Sequence, residues 1–454
     1  MMTTAFQFAA HVRSIQATPP AVRMAATRAV LDLVGAAIAG AVTRSGAAAR
    51  RAAVTSWGVG PAHVWFSADR LTPPGAAFVN AAYGSMLDLD DGHRAAAGHP
   101  GAAVIPAALA TAQAVGAGAD RLLTAIAIGY EVGVRVAAAR DFDTLRTTDS
   151  GLWCSYAVAA AAGWLRGLAP DVLVQALAIA GTSAPGLSAA GWSSVGNTVK
   201  EGIAWSTASG LAAVDLAAAG FTGPVDVLDD ARRYDPARMT RDLGRGWAIE
   251  GIYFKLYSCC RWAHAAIDAA LALQADHAIA TEAIRHIEVA TFPRALMLPN
   301  DPAPASLEAA QYSIPFCVAL ALVRGAGALL PMQEAHLADA QVLALAARIR
   351  LTVDPAYETA FPAMVPARVT MTSTHGARSL AVPAPKGEPT NPLSIGQQEE
   401  KFRALAGPNL SEPAAARLKA TILALNHQAE IDSLMSALSA PLGEASLLPA
   451  CQEA

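Results

Sequence analysis

The stretch "AVRMAATRAVLDLVGAAIAGA" at residues 21–41 sets the strongest constraint on the fold, because Leu31, Val34 and Ile38 fall at helical spacing among alanines. The pattern recurs at 75–87, 103–116, 121–139, 153–166, 171–181, 203–219 and 262–275, with Gly, Pro or Asp in the breaks. Alanine favours helix and lets neighbouring helices approach closely. Hydrophobic residues make up 54% of the 454-residue chain and charged residues 15%, enough apolar material for a large core. The expectation is a helical bundle running to about residue 275.

The texture then changes. "IRHIEVATF" (284–292), "RIRLTVD" (348–354) and "ARVTMTSTHGARSLAVPAP" (367–385) alternate as strands do, the last as a hairpin turning near His375–Gly376. A helical segment at 312–324 separates the first two, and helices return at 395–406, 411–425 and 427–438. The predicted fold is mainly α with an inserted α+β domain. Residues 1–275 and 395–454 form the helical domain, and 276–394 form a smaller lid. A ligand belongs in the cleft between them.

Several function classes are excluded. The net charge of −4 and the lack of a basic patch with aromatics argue against nucleic acid. Mean hydropathy is +0.33, yet no stretch reads as a membrane span, and "MMTTAFQFAAHVRS" lacks the order of a signal peptide. A cytoplasmic homo-oligomer is expected. Five scattered cysteines (Cys154, Cys259, Cys260, Cys317 and Cys451) suit neither a disulfide framework nor zinc. GxSxG, GxGxxG after a strand and P-loop signatures are absent.

Three segments carry chemistry. "SMLDLDDGHRAAAGHPG" (85–101) puts Asp88, Asp90, Asp91, His93, Arg94 and His99 just before an apolar helix, whose first N–H groups could hold an anion. The aspartates could equally cap a turn. Metal-ligand residue types are present, but no ligand spacing is, so no metal is expected. "YFKLYSCCRWAHAAIDAAL" (253–271) brings Lys255, Arg261 and His264, with Asp268 four residues on to fix the imidazole tautomer. "NTVKEGIAWSTASGLAA" (197–213) opens a small-residue helix with Lys200, in a chain holding only five lysines among 33 basic side chains. Acid–base groups beside Lys and Arg suit proton removal next to a carboxylate, where the carbanion needs positive charge nearby.

At these residues the chain resembles the MmgE/PrpD family. "LDLVGAAIAG", "AIGYEVGVRV", "VKEGIAWSTASGLAAVDLAAAGFTGP", "QYSIPFCVALAL" and "KGEPTNPLS" add to the segments above, in family order almost end to end. The family includes 2-methylcitrate dehydratase, cis-aconitate decarboxylase and iminodisuccinate epimerase. The resemblance implies a homodimer with a helical domain and an α+β lid, no metal or organic cofactor, and a small di- or tricarboxylate substrate. It also implies roles for Asp88, His99, Lys200, Lys255 and His264.

Four positions depart from the decarboxylase pattern. No histidine lies between Asp141 and Trp164, Gly92 stands for threonine, Phe316 for tyrosine and Cys260 for histidine. These point to the epimerase-like or uncharacterised branches and make Tyr156 a further acid–base candidate. The expected catalytic set is His99, Lys255, His264, Tyr156 and Asp88. The expected substrate-binding set is Lys200, Arg261, Arg94, His93 and Asp91. The expected function is proton abstraction α to a carboxylate, ending in epimerisation or elimination. The alternatives are a hydro-lyase acting on a hydroxy-tricarboxylate and a non-catalytic carboxylate-binding scaffold.

Overall fold

The computed structural model describes residues 2–442; Cys451 lies outside them. Prolines open many of the helices, as at Pro20–Ala41, Pro73–Ser85 and Pro170–Thr182, where a fixed φ costs nothing and the missing N–H is not needed. Helix Gly151–Leu165 is buried almost all round, against Gly101–Val115, Ala119–Ala138, Pro170–Thr182 and Ile203–Ala218. Pro20–Ala41 is long and apolar enough to cross a membrane, but 78% of its most apolar window is buried in the fold. It packs on Pro73–Ser85 and on Ile395–Ala406, a helix that returns after the lid.

The lid sheet has four strands in the order Ile349–Val353, Ile284–Thr291, Ala367–Ser373 and Gly376–Val382. The first pair is parallel and the other two antiparallel, with the hairpin closing at Ser373↔Gly376. The architecture is mainly α with a small sheet domain, as the periodicity indicated.

One helix changes sides. Arg261–Asp276 packs on Ala367–Ser373, Gly376–Val382 and helix Ile314–Arg324, so its apolar side chains belong to the sheet core. Packing therefore places a division before this helix, whereas its period alone had assigned it to the bundle. The bundle core spans residues from Ala5 to Phe254 and resumes at Leu393.

A two-residue ladder sets the site. Gly92–His93 pairs antiparallel with Ile252–Tyr253, which lays the acidic loop against the segment that enters the lid. Gly92 lies opposite Tyr253, and a Cβ there would come 2.2 Å from the Tyr253 hydroxyl oxygen. The threonine expected at this position is thus replaced by space for a tyrosine ring. Gly387, at φ 96°, brings the lid loop so close that a Cβ would sit 2.0 Å from the Phe254 carbonyl oxygen.

Candidate active site

Three of the five lysines converge on loop 88–90. Lys255 Nζ donates to the Asp88 carbonyl at 3.0 Å and lies 3.1 Å from its carboxylate. Lys200 Nζ is 3.7 Å from the same carboxylate. Lys401, on the returning helix, bonds the Leu89 carbonyl at 2.7 Å and Asp32 at 2.6 Å. All three are buried, so each needs its anionic or carbonyl partner. Burial pushes the Asp88 carboxyl up, but Lys255, Lys200 and His99 outweigh it and hold the group below the usual carboxylate range. In return Asp88 and Asp90 overcome burial and raise Lys255. Lys255 is therefore a fixed ammonium that organises the loop, and it does not line the cleft, contrary to its expected acid–base role.

His99 is the imidazole that reaches the cleft. Its Nδ1 faces two acceptors, the Asp91 carbonyl at 3.0 Å and an Asp90 carboxylate oxygen at 3.2 Å, so Nδ1 carries the proton. Nε2 is left to titrate, 3.8 Å from Asp88. Burial and Lys255 disfavour its protonation, yet Asp90 and Glu201 outweigh them and raise it above the ordinary histidine value. Ligand atoms of Asp88, Asp90 and His99 lie within 4.8 Å of one another, the grouping of a metal site. The two ammonium groups at Asp88 already supply the positive charge that a cation would bring.

The other expected residues divide by location. Asp91 accepts from Tyr130 at 2.6 Å and from the Gly101 N–H at 3.0 Å. It caps the helix start, so the N–H expected to hold an anion there is occupied. His93 lies behind the cleft in the short ladder, and burial lowers it to about 4. His264 is fully buried, with Arg261 at 3.0 Å from Nδ1 and the Cys259 carbonyl at 3.3 Å from Nε2. Burial, then Arg261 and Lys255, keeps it neutral. Asp268 does not orient it, since its carboxylate takes the Tyr257 hydroxyl at 2.7 Å and the Lys386 N–H at 2.8 Å. Tyr156 abuts Gly181 and the Tyr234 hydroxyl, away from the cleft. Its helix is apolar on every side, so no pattern could mark which side faces the site.

The expected carboxylate clamps are partly engaged. Glu388, from the lid loop, accepts from both Arg94 and Arg261. Every Arg261 nitrogen is engaged, Nη1 with His264 and the carbonyls of Phe254 and Lys386 and Nη2 with the Pro385 carbonyl alone. Arg94 bonds Glu388 through Nε and Nη2, leaving Nη1 without a hydrogen-bond partner among the described residues.

Glu201 and Tyr312 line the cleft although the sequence did not single them out. Lys200, Glu201 and Gly202 form a left-handed run with φ of 47°, 59° and 75°. Such a conformation costs on the order of 1 kcal/mol or more for each non-glycine residue. It turns Glu201 onto Ser150, accepting from the hydroxyl at 2.7 Å, and turns Lys200 onto Gln311 at 2.6 Å and the Tyr312 hydroxyl at 3.4 Å. Asp88, at φ 54°, is held in the same way. The cleft closes between the bundle (Arg94, His99, Thr148, Glu201) and the lid (Arg261, Trp262, Tyr312, Phe361). Its free space is about 30 Å³, room for little more than a water or two.

Burial raises the Asp91 carboxyl to about 7, and Asp32 and Asp90 add to the rise. Its folded value thus exceeds that of an unfolded chain, about 3.9. Such a group adds stability fully below the unfolded value and loses that contribution as pH climbs through about 7. Asp91→Asn should remove this loss. Urea unfolding from about pH 4 to about pH 8 should show a dependence flatter by on the order of 1–3 kcal/mol than in wild type.

Comparison with known proteins agrees with this layout. Residues 6–241 match the MmgE/PrpD N-terminal domain and residues 257–427 the MmgE/PrpD C-terminal domain. The cis-aconitate decarboxylase-like protein oryM of Aspergillus oryzae is 28% identical, over 82% of this chain and 84% of its own length. The cis-aconitate decarboxylase of Aspergillus terreus is 27% identical, covering 82% of each chain. The human cis-aconitate decarboxylase is 28% identical over 99% of this chain and 97% of its own. With both domain models matched in order, the first on the bundle and the second running through the lid into the returning helices, the chain belongs to the MmgE/PrpD family.

Proposed function

We propose that the protein is a cofactor-independent enzyme that moves a proton at the carbon next to a carboxylate of a small di- or tricarboxylate, acting as an epimerase or a lyase. One observation carries this reading: His99, its Nε2 in no hydrogen bond among the described residues, lines a cleft shared with Arg94 and Tyr312, while His93 and His264 lie behind the walls. Arg94 Nη1 holds a substrate carboxylate, since charge-assisted bonds are the strong ones, whereas Lys200 does not line the cleft and acts on it through Tyr312. His99 exchanges the proton, and Tyr312, backed by Lys200, faces the charge that develops. Asp88 and Lys255 position these groups. The same reading takes the protein as a cytoplasmic homodimer, independent of nucleic acid and membrane.

The relatives favour one outcome specifically. Loss of CO2 from a tricarboxylate leaves the same kind of carbanion as proton abstraction, and a protonated His99 can quench it. Decarboxylation is therefore the second reading, supported by the names of the relatives.

A panel of cis-aconitate, 2-methylcitrate, iminodisuccinate and related acids tests the proposal. CO2 release, new ultraviolet absorbance and solvent deuterium uptake separate decarboxylation, elimination and epimerisation. Turnover of at least one acid is expected, unchanged after exhaustive chelation. Stabilisation by an acid without turnover of any would favour a binding scaffold and overturn the proposal.

A further inference from the structure

A second cavity lies on the far side of the loops that wall the cleft. It is bounded by Arg140, Leu145, Leu187, Arg233 and Tyr234, with about 490 Å³ of free space. Arg140 is almost wholly buried and makes no ion pair among the described residues, with Glu201 and Asp149 acting on it only from beyond contact. Its bonds go only to carbonyls, of Ala137 at 3.1 Å, Thr148 at 3.0 Å and Ala96 at 3.2 Å. A buried cation with no carboxylate in contact is costly, and burial lowers Arg140 to about 10 even against the pull of Tyr234, Glu201 and Asp149. Arg233 adds a second charge at the rim, its contact with Asp230 no closer than 3.9 Å. The acid at the rim, Asp141, is occupied by its own turn, accepting from the Asp143 N–H at 3.0 Å. Leu145, Leu152, Pro185 and Leu187 supply an apolar stretch of the wall, beside Thr144, Thr182 and an Arg232 already paired with Asp230.

We propose that this cavity binds a small organic carboxylate with a short apolar body, its head on Arg140 and Arg233 beside Tyr234 and its body on Leu145 and Leu187. Arg140 also holds the carbonyls of Ala96 and Thr148, in the two loops that place Ala97, His99 and Thr148 at the cleft. An occupant therefore acts on the reacting site through one guanidinium. That coupling rests on the catalytic reading, whereas the binding does not.

Calorimetric titration of the full chain with hexanoate, and with hexanol as the neutral counterpart, tests it without reference to turnover. Saturable binding of hexanoate and none of hexanol is expected. Arg233→Ala should weaken hexanoate about tenfold, the loss of one charged hydrogen bond. Leu145→Trp, which fills the cavity and leaves every charge in place, should weaken it at least as much. Arg245→Ala removes another exposed arginine elsewhere and should leave binding unchanged. Equal binding of hexanol, equal losses in the Arg233 and Arg245 variants, or no saturable binding by wild type would each overturn the proposal.

Discussion

Replacing His99 by Asn should lower kcat by about 10²–10⁴-fold while KM changes little, the span expected for one acid–base group. Asn keeps a donor toward the Asp91 carbonyl and Asp90, the partners of Nδ1, so the loop retains its bonds. What it lacks is a titrating Nε2 at the cleft. Arg94, which lines the cleft, is untouched, which is why binding should survive. A His264→Asn variant is the contrast. His264 is neutral and enclosed by Arg261 and Cys259, so any loss should follow destabilisation, visible in unfolding, rather than a selective fall in kcat. Steady-state kinetics and urea unfolding on the two variants separate these roles.

The second large effect concerns the ion pair beneath the loop. Lys255→Met leaves the Asp88 carboxylate buried with only Lys200, 3.7 Å away, as a nearby ammonium. Breaking such a pair from one side costs about 3–5 kcal/mol, because the stranded charge loses water and partner together. Lys255→Met combined with Asp88→Asn should recover most of that stability, since a neutral amide needs no counter-charge. It should not recover turnover, because Asp88 also holds Lys200 and lies 3.8 Å from His99 Nε2. Equal instability of the single and double variants would show that Lys255 stabilises by packing alone.

How far the sequence carried depended on whether the deciding force was local. Helix positions were legible because the apolar period and the opening prolines act within one turn, and Ile203–Ala218 and Ile395–Ala406 fall where the pattern put them. The grouping of Asp88, His99, Lys200 and Lys255 was what the family resemblance implied, with residue types and the scarcity of lysine pointing the same way. Side-chain direction was not. Tyr156 sits on a helix with no polar side, so its period said nothing about the cleft. His264 and Asp268 have the right spacing for a pair, but Tyr257 and the Lys386 N–H compete for the carboxylate and win. Glu388 was hidden for a different reason. It is a lone acid in a Gly/Pro loop, and only its docking against Phe254 brings it to Arg94 and Arg261. Glu201 depended on a left-handed run that no propensity would place at a Lys–Glu pair.

The central claim is that His99 moves a proton at the carbon next to a substrate carboxylate. Proton NMR in deuterated solvent measures this directly, using whichever acid the enzyme turns over. Wild type should place solvent deuterium at that carbon, and His99→Asn, folded and still binding the acid, should do so at least about a hundredfold more slowly. Deuterium uptake at the wild-type rate by His99→Asn, or turnover by wild type with no deuterium at that carbon, would contradict the account.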